Sequence, residues 1–542
     1  MRDRRVYRLA PGGSGVAAGR LYRTDRPVAA VAAAEGDAAV RAAEAFGTAA
    51  ADLAALAADL TAQGEAEAAA ITTVTVHIAQ DPELRAMVDA AVAGGATAEV
   101  AVAEAIEHFA GVLAALPDAT LAERAADVRA VGRRLLAALG GRATPPGGPL
   151  VLAAHEITAD DLLTAAGVVV GAASVIGGAT SHAAIVARSL GVPLGFGADP
   201  DLLAEADGTE VLLDLSAGAL IAQPDAGERA VAQAAEAAAR DRRERLVAER
   251  NTPVTTLDGQ VVEVLANVAG AADADIAVRM AAPGVGLLRT EMPFLTAQRW
   301  PTVDEHRAAL APVLDRLAGR PVTVRTLDFA DDKLPPFLAA GGPLGRSLPL
   351  MLADPQALGA QVRALMQSGG ADLRIMIPMV ASADEMRQCR DLVARIAAEE
   401  GRPSPPVGAM IELPEAVAGI DAIAAAADFL SLGTNDLSAS MLGRGRRDPS
   451  LTPASVRERP VLAAVAATVA AGERNGRRVS VCGDAASDPV AIEALIGVGC
   501  RVFSVAPSMI DEVRAVVRSL DARAGAAVAV SIIAGVSVSR AG

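Results

Sequence analysis

The sequence predicts a multidomain α/β chain whose C-terminal half closes into a (β/α)8 barrel. Three observations lead there. After Pro253, eight short apolar runs alternate with helical segments. Between about Pro27 and Gly141 the text is helical throughout, with apolar residues recurring at the helical period. Between those regions, residues 143–224 break into short apolar runs separated by turn residues. Eight strand-then-helix units match a closed barrel better than a doubly wound sheet.

Taken in order, residues 1–26 hold GVAAGRLYR, a short strand with glycine turns, and with residues 142–225 they form one α/β domain. The opening MRDRRVYRLAPGG is charged and has no apolar signal core. Residues 27–141 are an inserted helical bundle; breaks near Thr61–Gly64, Gly94–Gly95 and Leu116–Pro117 divide it into four helices. PLVLAA, GVVVGAA, EVLLDL and ALIAQP supply further strands of the α/β domain. Residues 226–252 read as a charged, alanine-rich linker helix, and 253–542 as the barrel. Its strand candidates are QVVEVLANVA, GVGLLRTEM, PVTVRTLDFA, LRIMIPMV, PVGAMIEL, DFLSLGTNDL, RRVSVCGDAA and CRVFSVAP. The sixteen uncharged residues Ala524–Ser539 fall short of the roughly 20 that span a bilayer. They are expected to be a buried or frayed terminal segment, with no membrane insertion and a cytoplasmic location.

Composition narrows the function classes. A net charge of −16 argues against nucleic acid as a general partner, yet allows an anionic substrate wherever arginines gather. Three scattered cysteines do not make a disulfide framework or a cysteine-based zinc site. Aromatic residues are 2 % of the chain, so its cores must be built from Ala, Val, Leu and Ile.

The chemistry-bearing residues cluster at the C-terminal ends of the barrel runs: Arg289-Thr290-Glu291, Arg325, Asp328, Glu412, Asn435-Asp436, Cys482 and Ser504. Active sites of (β/α)8 barrels lie at that face. Arginine pairs take phosphate or carboxylate by bidentate forks. Glu412 and Asp436 offer the carboxylates that suit Mg²⁺ alongside substrate oxygens, and Asn435 can donate to phosphate. Strand-end salt bridges are the plainer reading of any one of these residues. Cys482 alone would be a small core hydrophobe; at a strand terminus among such neighbours it can act as an acid–base group. Cys389 and Cys500 read as core.

The stretch GGATSHAAIVARS places His182 in the first turn of an alanine-rich helix, after a Gly-Gly turn and two hydroxyls. Free N–H groups and the helix dipole there favour an anionic group, and imidazole is a competent nucleophile. No second His, Cys or acidic residue lies at ligand spacing, so a metal site is not expected. A histidine that only packs would be surrounded by bulk rather than by Gly, Ala, Thr and Ser.

GGATSHAAIVARSLGVP resembles the phosphohistidine motif of phosphoenolpyruvate-utilising enzymes. LLRTEM, VRTLDFADDK, AMIELP, SLGTNDL and VCGDAASD are similar, in order and spacing, to the barrel of enzyme I of the phosphoenolpyruvate:sugar phosphotransferase system. TVHIAQDPEL and LAERAADVRAVGRRLL look like that family's helical subdomain for its acceptor HPr. The resemblance runs from about Gly15 to Pro507. It implies a swivelling phosphohistidine domain, phosphorylation of His182 by phosphoenolpyruvate, and transfer to a histidine of HPr. It further implies substrate binding by Arg289, Arg325, Asn435, Asp436 and Arg446, Mg²⁺ on Glu412 and Asp436, and protonation of the departing enolate by Cys482. Homodimers joined through the barrel are expected.

Two segments depart from the family's pattern. PLGRSLPL puts Arg346 one place before the family's substrate-contacting arginine, with Ser347 in that arginine's position; Arg346 is expected to stand in for it. Ser438-Ala439-Ser440 replaces the usual Thr-Gln-Tyr, and MLGRGRRDPS leaves the choice between Arg444 and Arg446 open. A regulatory binding protein that has lost catalysis is the alternative these changes allow. A dikinase-like enzyme fits less well, because it needs an ATP-binding domain and no Gly-rich nucleotide loop is present.

Overall fold

Short strands of two to eight residues, most of them apolar, form both sheets of the protein. They are seen in a computed structural model that describes residues 4–11, 15–25, 37–62, 66–115, 119–141, 146–164, 168–178, 181–329, 334–339, 346–368, 372–445, 448 and 450–535. The chain divides into two units, Met1–Arg243 and Glu244–Gly542.

The first unit is built on an eight-stranded sheet. Its strands are β1 (Arg5–Arg8), β2 (Ala10–Pro11), β3 (Val16–Arg23), β4 (Leu150–Ala154), β5 (Val169–Ser174), β6 (Leu194–Phe196), β7 (Glu210–Asp214) and β8 (Ala219–Ala222), in the order β1-β8-β7-β3-β4-β5-β6-β2. β3, β4, β5 and β6 run parallel, and the outer strands pair antiparallel. Every residue of β4 is buried because both faces of the sheet are covered. Leu150 and Leu152 enter one core cluster, while the alternating Val151 and Ala153 enter the other. β1, β2 and β6 have no counterpart in the sequence reading. They are two to four residues long, too short for alternation to register.

The inserted bundle has five described helices rather than the expected four: α1 (Ala38–Ala62), α2 (Ala66–Ala79), α3 (Pro82–Ala93), α4 (Ala98–Ala114) and α5 (Ala119–Leu136). The extra break lies at Asp81-Pro82. The Asp81 side chain accepts from the N–H groups of Glu83 (2.8 Å) and Leu84 (3.2 Å), and Pro82 occupies the first helical position, where its missing N–H costs nothing. Phe46, Leu53, Leu84, Val102, Ile106, Val131 and Leu135 fill the bundle core, with alanines between them. Two short helices return to the α/β layer, α6 (Ala159–Thr164) and α7 (His182–Leu190). Arg133 of α5 joins bundle to layer, its Nη2 lying 3.0 Å from Asp161 of α6. α8 (Ala226–Ala248) follows the sheet.

The second unit contains a closed barrel of eight parallel strands, as expected, one from each apolar run. They are β9 (Glu263–Val268), β10 (Val285–Leu288), β11 (Val322–Arg325), β12 (Leu373–Ile377), β13 (Val407–Ile411), β14 (Phe429–Gly433), β15 (Arg478–Cys482) and β16 (Val502–Val505). Closure is through β16 and β9, with Val502 opposite Glu263 and Val505 opposite Ala266. The tail begins as a helix, Ala522–Ala534, capped by Asp521 and ended by Gly535 at φ 75°. No helix among the described residues is long and apolar enough to cross a membrane.

Candidate active site

Seven of the strand-end residues singled out in the sequence converge at the C-terminal ends of the barrel strands. Arg289, Arg325, Asp328, Glu412, Asn435, Asp436 and Cys482 line one cavity of about 280 Å³, with Asp484. That is slightly below the roughly 300–1,000 Å³ of drug-sized pockets and suits a small ligand. Leu287 and Met410 meet Cys482 at its apolar floor.

Arg325, the last residue of β11, is held on two sides. Its Nη2 donates to Glu291 Oε1 at 2.8 Å, and its Nη1 pairs with Asp328 Oδ2 at 2.7 Å. Burial disfavours the charged guanidinium, but Asp328, Glu291 and Glu412 outweigh it and hold the group above the usual arginine range. Burial pushes Glu291 up most strongly of any one influence, yet Arg325, a backbone hydrogen bond and Arg289 together outweigh it, and the carboxyl sits below its ordinary value. Arg325 is thus a fixed guanidinium rather than a mobile one. Glu291 and Asp328 were visible as strand-end polar residues, but not as the partners of Arg325.

Glu412 follows β13 directly and is 1 % exposed. Its Oε1 accepts the N–H of Met379 at 2.9 Å. Burial, then the charges of Asp328 and Asp436, push its carboxyl up to about 8 against the pull of Arg325. On Oε2 the neighbour is Gly433, where a Cβ would stand 2.7 Å away. A side chain at 433 would therefore displace this oxygen. Glu412, Asp328 and Asp436 repel one another at the cavity, and a hard divalent cation would relieve that repulsion. Among the described residues no three His, Cys, Asp or Glu side chains are arranged to ligate a metal. Glu412 and Asp436, the expected ligands, both line the cavity, and two carboxylates completed by substrate oxygens and water would fit Mg²⁺.

Cys482 ends β15 at the cavity floor. Its Sγ donates to the Leu432 carbonyl (3.4 Å) and accepts from Ser431 Oγ (3.7 Å). Burial pushes the thiol up to about 11. The next residue, Gly483, has φ 93°; a Cβ there would run into Thr434 Oγ1 and Asn435. That left-handed turn lets Asn435 clasp Asp484, with Nδ2 to Oδ2 at 3.1 Å and Asp484 N–H to Oδ1 at 3.0 Å.

His182 is the first residue of α7. Ser181 caps that helix by accepting the N–H of Ala184 at 3.2 Å. The side chains of His182 and Arg188 lie outside those described, as does all of Arg446. Arg444 is taken up by Glu458, at 2.7 and 3.1 Å. Arg346 does not line the cavity, contrary to its expected role as a substrate-contacting stand-in. Its Nη2 is 2.6 Å from Glu385 Oε2 and its Nε donates to the Met379 carbonyl at 3.0 Å. A carboxylate within reach has captured the guanidinium.

Three family models cover most of the chain. They are described as phosphoenolpyruvate-utilising enzyme, PEP-binding domain, over residues 243–522; mobile domain, over 147–218; and N-terminal, over 10–124. The chain belongs to the phosphoenolpyruvate-utilising enzyme family. Among relatives, the phosphoenolpyruvate-protein phosphotransferase of Haloferax volcanii is 35 % identical over 481 residues, covering 84 % of this chain and 82 % of its own. The Streptomyces coelicolor protein of the same name is 35 % identical over 469 residues, covering 83 % and 82 %. A multiphosphoryl transfer protein of Rhodobacter capsulatus is 37 % identical over 462 residues, 83 % of this chain but 56 % of its own. This chain thus spans about half the length of the multiphosphoryl transfer proteins it matches, 56 % and 51 % of two of them. Within the family framework, the cavity lies in the segment matched to the PEP-binding domain, and α7 in the segment matched to the mobile domain.

Proposed function

We propose that this protein takes the phosphoryl group of phosphoenolpyruvate onto His182 and passes it to a histidine of an HPr-type phosphocarrier. Pyruvate is released, and the reaction is the first step of sugar uptake by a phosphotransferase system. The observation that carries this reading is the convergence of Arg289, Arg325, Glu412, Asn435, Asp436 and Cys482 on one cavity in the segment matched to a PEP-binding domain.

Phosphoenolpyruvate is a small trianion, and its binding needs fixed positive charge. Arg325 supplies it, because Glu291 and Asp328 keep its fork oriented before substrate arrives. Arg289 and Asn435, both less buried than Arg325, take the remaining phosphate and carboxylate oxygens. In the transfer, the bond between phosphorus and the bridging oxygen breaks and a phosphorus–nitrogen bond to the His182 imidazole forms. The bridging oxygen keeps the electron pair and leaves as enolate. Mg²⁺ held by Glu412 and Asp436 would supply charge neutralisation at the phosphate and enolate oxygens. The Cys482 thiol, kept protonated at neutral pH by burial, gives its proton to the enolate's methylene carbon, and the thiolate is reprotonated from water. The helical bundle docks the phosphocarrier through the face bearing His77, Ile78 and α5, with modest, partly electrostatic contact. Two copies join through their barrels.

Incubation with phosphoenolpyruvate and Mg²⁺ should add about 80 Da by intact mass, one phosphoryl group. His182→Ala should take up nothing. A wild-type chain that stays unmodified under these conditions would support the binding-protein alternative instead.

A further inference from the structure

Among the described residues, Met379 is the one non-glycine beside the cavity with a positive φ. It follows the Ile377-Pro378 end of β12 and has φ 53°, a left-handed conformation that non-glycine residues seldom adopt. Its two backbone groups point to different partners. The N–H donates to Glu412 Oε1 at 2.9 Å, and the carbonyl accepts from Arg346 Nε at 3.0 Å. Arg346 is anchored in turn, because Glu385 Oε2 takes both its Nη2 at 2.6 Å and the N–H of Ala381 at 2.7 Å. The result is an unbroken chain from Glu385 through Arg346 and the Met379 peptide to a cavity carboxylate. Met379 itself is 8 % exposed, and Glu385 sits at the start of the helix Ala383–Glu399.

We propose that Arg346 is a positioning residue: it clamps the Met379 peptide in its left-handed turn and thereby aims the Met379 N–H at Glu412. Its importance for turnover rests on the phosphotransfer reading of the cavity. Arg346 then acts through Glu412 and not on the substrate. The fork geometry matters because one guanidinium bonds a carbonyl and a carboxylate at once, along two different directions. A lysine ammonium would hold its charge near Glu385 but would not reproduce both directions. The cationic residue one place before the family's arginine thus has a role in this chain that a substrate contact would not explain.

Amide hydrogen exchange of the full chain decides the matter without substrate. Arg346→Ala and Glu385→Ala should each speed exchange at Met379 by about tenfold, the equivalent of one lost hydrogen bond to a charged group. The double variant should be no faster than either single one, as for two links of one clamp. Arg346→Lys should not restore protection. Glu385 lies at a partly exposed helix start, so its variant reports even if Arg346→Ala folds poorly. Titration with Mn²⁺ alone should follow the same pattern, with affinity falling about tenfold in both single variants. KM for phosphoenolpyruvate at saturating Mg²⁺ should stay within about twofold of wild type. Unchanged exchange at Met379 would overturn the proposal. So would rescue by lysine, or a raised KM in Arg346→Ala that Glu385→Ala does not share. An unlabelled His182 in the wild-type chain would instead sink the phosphotransfer reading and leave the exchange result standing.

Discussion

Cys482 and Glu412 share a cavity, and burial holds the proton on both. For the thiol, burial moves titration up to about 11, so the proton needed by an enolate is present throughout the neutral range. Cys482→Ala should still bind phosphoenolpyruvate while overall turnover slows by about 10²–10⁴-fold, the usual worth of a positioned acid. In the reverse direction, that variant should lose exchange of pyruvate methyl protons with deuterated solvent. Exchange at the wild-type rate would return Cys482 to the company of Cys389 and Cys500, buried thiols pushed up to about 12. For Glu412, burial and two neighbouring carboxylates raise the carboxyl from 4.5 to about 8. Across that window the folded protein keeps a proton that the unfolded chain has released. Stability contributed by this group is therefore complete below about pH 4.5 and lost as pH rises through about 8. Melting of metal-free protein should show this decline, Mg²⁺ should oppose it most at the upper end, and Glu412→Gln should flatten it. A slope that survives the substitution belongs to another group.

Turns and helix faces carry the next level of organisation. The β15 terminus depends on Gly483, whose positive φ and crowded Cβ direction exclude a side chain. Gly483→Ala should cost about 1–3 kcal/mol in unfolding free energy, the usual penalty of such a conformation. It should also raise KM for phosphoenolpyruvate, because the Asn435–Asp484 clasp would be disturbed. An unaltered KM would detach that clasp from substrate binding. In the bundle, His77 is exposed in the last turn of α2. His77→Ala should slow transfer to the phosphocarrier by roughly tenfold, the cost of losing one good interface contact, while phosphorylation of His182 proceeds normally. Equal slowing of both steps would place His77 outside the docking face.

The division into two units predicts two unfolding events. With its own core cluster, the barrel unit should melt as one transition and the first unit as another. Mg²⁺ with phosphoenolpyruvate in an unreactive His182→Ala chain should stabilise only the barrel transition, by about 2.7 kcal/mol at a hundredfold excess over Kd. A ligand-dependent shift of both transitions would mean that the units do not unfold independently.

The barrel was legible because each strand is a local apolar run, ended by polar residues and followed by a helix, and such periodicity survives without neighbours. The start of α7 at His182 was legible for the same reason, through its glycine turn and hydroxyl cap. Local signals failed where the deciding contact was short or distant in sequence. The Asp81 cap split one helix into two within a single turn, and β1, β2 and β6 were too brief to show a period. The partners of Arg325 were in view at neighbouring strand ends, but only the parallel pairing of β10 with β11 brings Glu291 against it, 34 positions away. Arg346 was expected beside the substrate because of its place in the chain, and Glu385, 39 positions on, claims it instead. The raised titrations of Glu412 and Cys482 likewise have no local signature, since they come from exclusion of water and from charges on other strands. Patterns along the chain therefore specified the elements and the chemistry at their ends, while through-space distance and burial set which side chains pair and in what protonation state.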